Sequence, residues 1–167
     1  SFSLSNLADG TYTVTSSFSA GWATSPRSGI SKSYSFTFQF KIDSTAPTMN
    51  NVSTSSTGKY TNSSTYVYAS DSMSGVDAIY MKTPGSSSYG NMGTSTTVSS
   101  SGTNGLYSFY AKDKAGNISR TYFLYLDTVK PTGTIKNSNG AEITGSYTNQ
   151  AFSYSATDSG SGISYLQ

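Results

Sequence analysis

The feature that most constrains this chain is that it repeats itself. Phe40-Lys-Ile-Asp-Ser-Thr-Ala-Pro47-Thr matches Leu124-Tyr-Leu-Asp-Thr-Val-Lys-Pro131-Thr at an offset of 84 positions. Tyr60-Thr-Asn62, followed by Ala69-Ser-Asp71-Ser-Met-Ser-Gly75-Val76, matches Tyr147-Thr-Asn149, followed by Ala156-Thr-Asp158-Ser-Gly-Ser-Gly162-Ile163, at an offset of 87. A third match pairs Asp9-Gly10-Thr-Tyr12-Thr-Val14 with Gly105-Leu-Tyr107-Ser-Phe109. A fixed period means that each unit is one small domain of an array. The matches divide the 167 residues into the C-terminal part of one repeat, 1–43, a complete repeat, 44–128, and the N-terminal part of a third, 129–167.

Inside a repeat, the segments between turn signals read as strands. Phe36, Phe38, Phe40 and Ile42 alternate with Thr37, Gln39 and Lys41, and Phe152, Tyr154 and Ala156 alternate with Ser153 and Ser155. A period of two places one side of each segment on a core. Asp113 to Asn117 and Asp158 to Gly162 read as turns, where Asp accepts from nearby backbone N–H groups and Gly takes positive φ. There is no helical stripe of useful length. Some seven short strands in about 85 residues is the size of an immunoglobulin-like sandwich. The predicted fold class is therefore all-β, a tandem array of such sandwiches.

Composition alone would suggest a low-complexity linker, since 36 Ser and 23 Thr make up a third of the chain and charged residues are only 11%. The period changes that reading: the hydroxyl residues fall mostly on the outward phase of short strands and in their turns. Aromatics at 14% supply enough apolar area for a folded core. With no His and no Cys, the chain can have no Ser-His-Asp or Cys-His dyad, no zinc site of the usual ligands and no disulfide. A net charge of +2 over ten scattered Lys and Arg is too weak to neutralise a row of phosphates, so nucleic acid is not expected as a partner. No apolar run approaches the roughly 18 residues of a membrane span. The opening SFSLSNLADG lacks the basic and apolar regions of a secretory signal, as expected of a processed chain or of a piece of a longer one.

The residues resemble the tandem bacterial immunoglobulin-like domains of secreted and cell-surface proteins. The resemblance rests on Ala156 to Ile163, Ala69 to Val76, Ala111-Lys-Asp113-Lys-Ala-Gly-Asn117-Ile-Ser119, and the junctions Ile42 to Thr48 and Leu126 to Thr132. It covers the whole chain and implies a sandwich fold, an extracellular or cell-surface location on a bacterium, and neighbouring repeats of the same polypeptide as partners. Repeat one departs from the pattern, since Ser17 to Tyr34 stands where the Asp-x-Ala-Gly-Asn turn would be and reads as a longer loop. Tyr12 and Tyr107 look like tyrosine corners, in which the hydroxyl turns back onto nearby backbone.

Candidate chemistry is sparse. Ser56-Thr-Gly-Lys59 has a Ser-x-x-Lys spacing, but that chemistry needs a helix, and Gly58 in a Ser/Thr run opposes one. Glu142 is the only Glu, and the Asp residues sit singly in turns, which leaves no carboxylate pair for glycoside hydrolysis. No catalytic residue and no cofactor is assigned, and the chain is expected not to be an enzyme. An isopeptide bond between Lys59 and Asn117 would suit a Cys-free stalk, although the complete repeat has no Glu to assist it. Asp71, Asp113 and Asp158 are expected to form turns; no metal is assigned unless the linker carboxylates Asp43 or Asp127 join them, because calcium collects six to eight oxygens. The three Asn-x-Ser sequons, at Asn51, Asn62 and Asn117, are expected by chance in this composition.

Comparing strand phase between repeats singles out one surface. If Tyr122, Leu124 and Leu126 face the core, Phe123 and Tyr125 point outward where repeat one has Gln39 and Lys41. Matching Val14 with Phe109 turns Tyr110 outward, Tyr80 points outward if Ile79 packs inward like Leu166, and in immunoglobulin topology these residues share one sheet face. Tyr66 and Tyr68 show an outward phase on another strand. Tyr80, Tyr110, Phe123 and Tyr125, with Trp22 of the extended loop, are the candidate binding residues, for a cell-surface glycan or a host protein. Gln167 falls opposite Tyr80 and Ser1 near Thr96, so the terminal pieces cover complementary parts of one repeat and could exchange between molecules. The expected function is that of a non-catalytic extracellular stalk, spacer or adhesin segment; the alternative is a glycan- or protein-binding accessory module using the aromatic face.

Overall fold

A computed structural model describes residues 6–22, 30–145 and 147–165. Ser1, Leu166 and Gln167, on which the exchange argument and part of the strand matching rest, lie outside the described residues. The described chain is all-β. Its strands are β1 (Gly10–Trp22), β2 (Ile30–Ile42), β3 (Thr48–Asn50), β4 (Lys59–Thr61), β5 (Thr65–Ser70), β6 (Val76–Lys82), β7 (Gly90–Asn91), β8 (Ser95–Val98), β9 (Gly105–Asp113), β10 (Tyr122–Leu126), β11 (Thr132–Asn137) and β12 (Phe152–Thr157).

Strands β3 to β10 build two sheets, one in the order β3-β5-β8 and one in the order β4-β10-β9-β6-β7. Only the β10–β4 pair is parallel; all other pairs are antiparallel. One apolar core is shared by the two sheets. Met49, Val67 and Val98 come from the three-stranded sheet, and Ile79, Phe109, Ala111, Leu124 and Leu126 from the five-stranded one. These side chains follow the period-two alternation: Tyr122, Leu124 and Leu126 are buried while Phe123 and Tyr125 between them are only half-buried. Two sheets closed on one core are compatible with a β-sandwich.

The remaining strands form two separate ladders, β1–β2 and β11–β12. Each copies a ladder of the central unit. In β1–β2, Gly10 faces Ile42, Tyr12 faces Phe40 and Val14 faces Phe38. At the matching positions of β9–β10, Gly105 faces Leu126, Tyr107 faces Leu124 and Phe109 faces Tyr122. In β11–β12, Thr132 faces Thr157 and Gly133 faces Ala156, as Thr48 faces Ser70 and Met49 faces Ala69 in β3–β5. The offsets of 84 and 87 are thus offsets of strand register as well as of sequence.

The copies differ in what fills them. Met49 and Val67 are both buried in the central core, whereas their counterparts are Gly133 and Tyr154. A Cβ on Gly133 would lie 3.1 Å from the Tyr154 hydroxyl oxygen. The absent side chain at 133 makes room for the ring across the ladder, a small-for-large exchange between diagonal neighbours.

Two sequence expectations are corrected here. Ser17 to Tyr34 is not a loop as a whole: the ladder runs on from Ser17 facing Ser35 to Trp22 facing Ile30. Trp22 is the last residue of β1 rather than a loop residue. The extension has two chemically opposite faces. Tyr12, Val14, Phe18, Tyr34, Phe36, Phe38 and Phe40 share one face, and Phe18 stacks on both Tyr34 (5.4 Å) and Phe36 (5.8 Å). The other face is a row of hydroxyls in which Thr15 bonds Thr37 at 3.1 Å and Ser19 bonds Ser33 at 3.0 Å.

Candidate functional sites at the junctions and on the sheet face

The linkers between successive units are held by side chains, and both are held in the same way. At the first, Asp9 precedes β1 and accepts from the Ser44 N–H (2.8 Å), the Ser44 hydroxyl (2.6 Å) and the Thr45 hydroxyl (2.6 Å). At the second, Asn104 precedes β9 and its Oδ1 accepts from the N–H and the hydroxyl of Thr128. Beside each clamp a tyrosine hydroxyl donates four residues back, Tyr12 to the Ala8 carbonyl (2.7 Å) and Tyr107 to the Thr103 carbonyl (2.9 Å). These are the two tyrosines that the sequence reads as corners.

The linker aspartates then reach forward. Asp43 accepts from the Thr45 N–H (3.0 Å) through one oxygen and from the Ser74 N–H (2.9 Å) of the β5–β6 loop through the other. Asp127 accepts from the Val129 N–H (3.1 Å) and from the Ser161 N–H (2.6 Å) of the loop after β12. Those loops are themselves wound around an aspartate. Asp71 accepts from the N–H groups of Met73 and Gly75, and Asp158 from those of Gly160 and Gly162. This bears out their reading as turn formers. Gly160 has a further role: a Cβ there would fall 2.4 Å from the Asp127 carboxylate, so the loop can close on the linker only without a side chain.

The first junction has one more component. Asp113 is fully buried at the β9–β10 turn, where it accepts from the N–H groups of Gly116 (2.7 Å) and Asn117 (2.8 Å). The Asn117 carboxamide donates to Asp113 and also to the Asp43 carbonyl at 2.9 Å, tying the turn to the linker. Asp43, Asp71 and Asp113 thereby bring one carboxylate oxygen each within 4.8 Å of one another. The linker carboxylate does join the turn aspartates, which the individual turns do not reveal. Three carboxylates could supply three of the six to eight oxygens a calcium ion takes. Their bonds within the chain go to backbone N–H groups and to the Asn117 carboxamide.

These bonds move the acidities. The Ser44 and Thr45 hydroxyls and the Ser44 N–H hold the Asp9 carboxyl below the ordinary carboxylate range. The Ser161 hydroxyl and N–H do the same for Asp127 against an opposing effect of burial. For Asp113, burial is the largest influence and pushes upward, but the bonds from Asn117, Gly116 and Ala115 together outweigh it and leave the group lowered.

The aromatic face is arranged differently from a bare patch. Tyr80 and Tyr110 face each other across β6 and β9 and stack at 4.7 Å with an interplanar angle of 9°; Tyr89 packs edge-on against Tyr110 at 4.9 Å. Tyr125 meets Tyr60 of β4 at 5.3 Å. Tyr80, Tyr110, Phe123 and Tyr125 do share the outer side of the five-stranded sheet, and all four are half-buried. Each stacked ring covers one flat face of the other, which leaves Tyr80 and Tyr110 less open as a platform than an unstacked ring. The exposed tyrosines of strands β3 to β10 are Tyr60 on this side and Tyr66 and Tyr68 on β5. Trp22 is distant in sequence from all of them, at the end of the β1–β2 ladder.

The remaining sequence candidates do not assemble. Ser56 lies in the turn before β4 and Lys59 begins that strand, so the helical Ser-x-x-Lys geometry is absent. Lys59 is exposed, while Asn117 is bonded at the opposite turn to Asp43 and Asp113; the structure does not bring the isopeptide pair together. No family model, curated protein or solved structure matches this chain.

Proposed function

We propose that the chain is a non-catalytic stalk or spacer segment of a bacterial surface or secreted protein, built from tandem immunoglobulin-like sandwiches. The single observation that carries this reading is the duplication of the junction. Asp43 to Thr45 and Ser74 at the first linker recur as Asp127 to Val129 and Ser161 at the second. A linker that only tethered two domains would need no side-chain bonds to both neighbours. Bonds that repeat, atom for atom, are what a segment needs to set one orientation and propagate it.

The mechanism is geometrical. Each clamp before the linker fixes where the chain leaves one unit, and each linker aspartate fixes where it enters the next. An array of such units holds whatever lies at its end at a set distance from its anchor. The hydroxyl-rich outer faces provide hydration with little charge, as suits an extended extracellular segment.

The test is orientation in solution. Residual dipolar couplings from the intact chain are expected to fit one alignment tensor for the central unit and β11–β12 together. Separate tensors, with reduced couplings for β11–β12, would overturn the spacer reading.

A further inference from the structure

We infer that the second junction carries a binding subsite for one ring of a neutral pyranose sugar, in the cleft between the central unit and the loop after β12. The cleft has a volume of about 280 Å³ and is lined by Tyr60, Thr61, Asn62, Asp127 and Ser161. Its size is near the lower end of ligand clefts, which run from roughly 300 Å³ upward and gather where structural units meet. It therefore admits a ring and not a folded peptide segment.

The lining matches what such a ring offers. A pyranose has apolar C–H faces and a rim of hydroxyls, so it needs an aromatic surface on one side and donors and acceptors at the edge. Tyr60 supplies the surface: it is 52% exposed, and its contact with Tyr125 is tilted by 45° rather than stacked. This separates it from Tyr80 and Tyr110, which are half-buried and stacked on each other. Asn62 is exposed, and its carboxamide makes no hydrogen bond among the described residues, leaving a donor and an acceptor free. Asp127 is only 7% exposed yet lines the cleft, and a carboxylate has about four acceptor sites. Val129 and Ser161 occupy some of them, and the rest can accept from a sugar hydroxyl.

Charge selects within the class. The one ionic group in the lining is a carboxylate, with no Lys or Arg among the lining residues, so an acidic sugar is disfavoured relative to a neutral one. The site is also composite, because Tyr60 to Asn62 follow from the central unit, Asp127 from the linker and Ser161 from the next unit. It exists only while the Asp127–Ser161 bond holds the junction closed. Tyr147-Thr148-Asn149 repeats the first three residues in the following unit, so a tandem array would multiply the site and gain avidity from weak single contacts. The inference shares with the spacer reading a closed second junction, and it fails on its own where that junction holds one orientation and no sugar binds.

The test uses the intact, 15N-labelled chain titrated with cellotetraose, chitotetraose and mannotetraose, with trigalacturonate as the anionic counterpart. The expected result is saturable shifts of the Tyr60, Asn62 and Ser161 amides with at least one neutral oligosaccharide, at a Kd on the order of 1 mM. Tyr60→Ala and Asn62→Ala are each expected to weaken binding about tenfold or more, while Tyr66→Ala on the other sheet leaves it unchanged. Both sites are exposed, and unshifted core amides verify that the variants fold. No saturable shift with any neutral probe overturns the proposal. So does binding that survives both variants, or trigalacturonate binding as tightly as the neutral probes.

Discussion

The β1–β2 and β9–β10 ladders begin as the same object and end as different ones. Both start from a tyrosine corner and a clamped linker, and their first paired positions are in identical register. From there β9 turns at Asp113, while β1 continues to Trp22. Phe109 is wholly buried between two sheets; Phe38, on the matching ladder face, is 56% exposed. Register is thus a local property, set by alternation and by where the hairpin begins, whereas burial is a property of what lies opposite. The same aromatic phase yields a core in one place and an open ribbon in the other.

Breaking the core side of this comparison should give the largest effect. Phe109→Ala is expected to cost about 3–5 kcal/mol, while Phe38→Ala costs under about 1 kcal/mol. Denaturant titration followed by amide exchange, in β9 and β10 for Phe109→Ala and in β1 and β2 for Phe38→Ala, would measure both, and equal costs would show that β1–β2 is buried after all. The turn that separates the two ladders comes next. Asp113→Ala removes the buried acceptor of two part-buried N–H bonds and is expected to cost about 1–3 kcal/mol, with early exchange at Gly116 and Asn117.

The period-two pattern and the offsets made the strands and much of the central core legible. Val67, Ile79, Phe109 and Leu124 all lie where alternation places them. The outward phase of Tyr80, Tyr110, Phe123 and Tyr125 was legible too, but not their pairing, because phase states which way a ring points and not which ring it meets. The junction bonds were hidden for a different reason. Asp43 and Ser74 are 31 positions apart, and only the fold brings them together. A signal did exist: Asp and Ser recur at both places, at offsets of 84 and 87, and two residues that recur together are candidates for mutual contact. The continuation of β1 and β2 past Ser17 was missed because Ser-rich alternation looks like loop composition until Phe18, Tyr34 and Phe36 are seen to share a face.

Smaller effects sharpen the contrast. Tyr110→Ser should cost about 0.5–1.5 kcal/mol by removing the stacked pair with Tyr80 and the edge contact with Tyr89. Gly160→Ala should disturb the Asp127–Ser161 bond and shift the Ser161 amide, whereas Met73→Ala at the matching place should leave Ser74 unmoved. Acid should have the mildest effect. The lowered carboxyls of Asp9 and Asp127 stabilise their clamps fully above the unfolded carboxyl value of about 3.9, and that contribution fades as pH falls through the lower folded values. The Ser44 and Ser161 amides should therefore titrate with midpoints below about 3.9; midpoints above it would show that neither bond persists in solution.

The exchange of Met49 and Val67 for Gly133 and Tyr154 bears on how such arrays diversify. Position by position, the two strand pairs look unrelated at their centres, yet each pair fills its own space. Recombination that moved β11 without β12 would leave a glycine beside a valine and a methionine beneath a tyrosine ring, one combination hollow and the other overfull. Each strand pair in this chain is therefore packed as one unit, and libraries of shuffled strands should be cut between ladders and never through them.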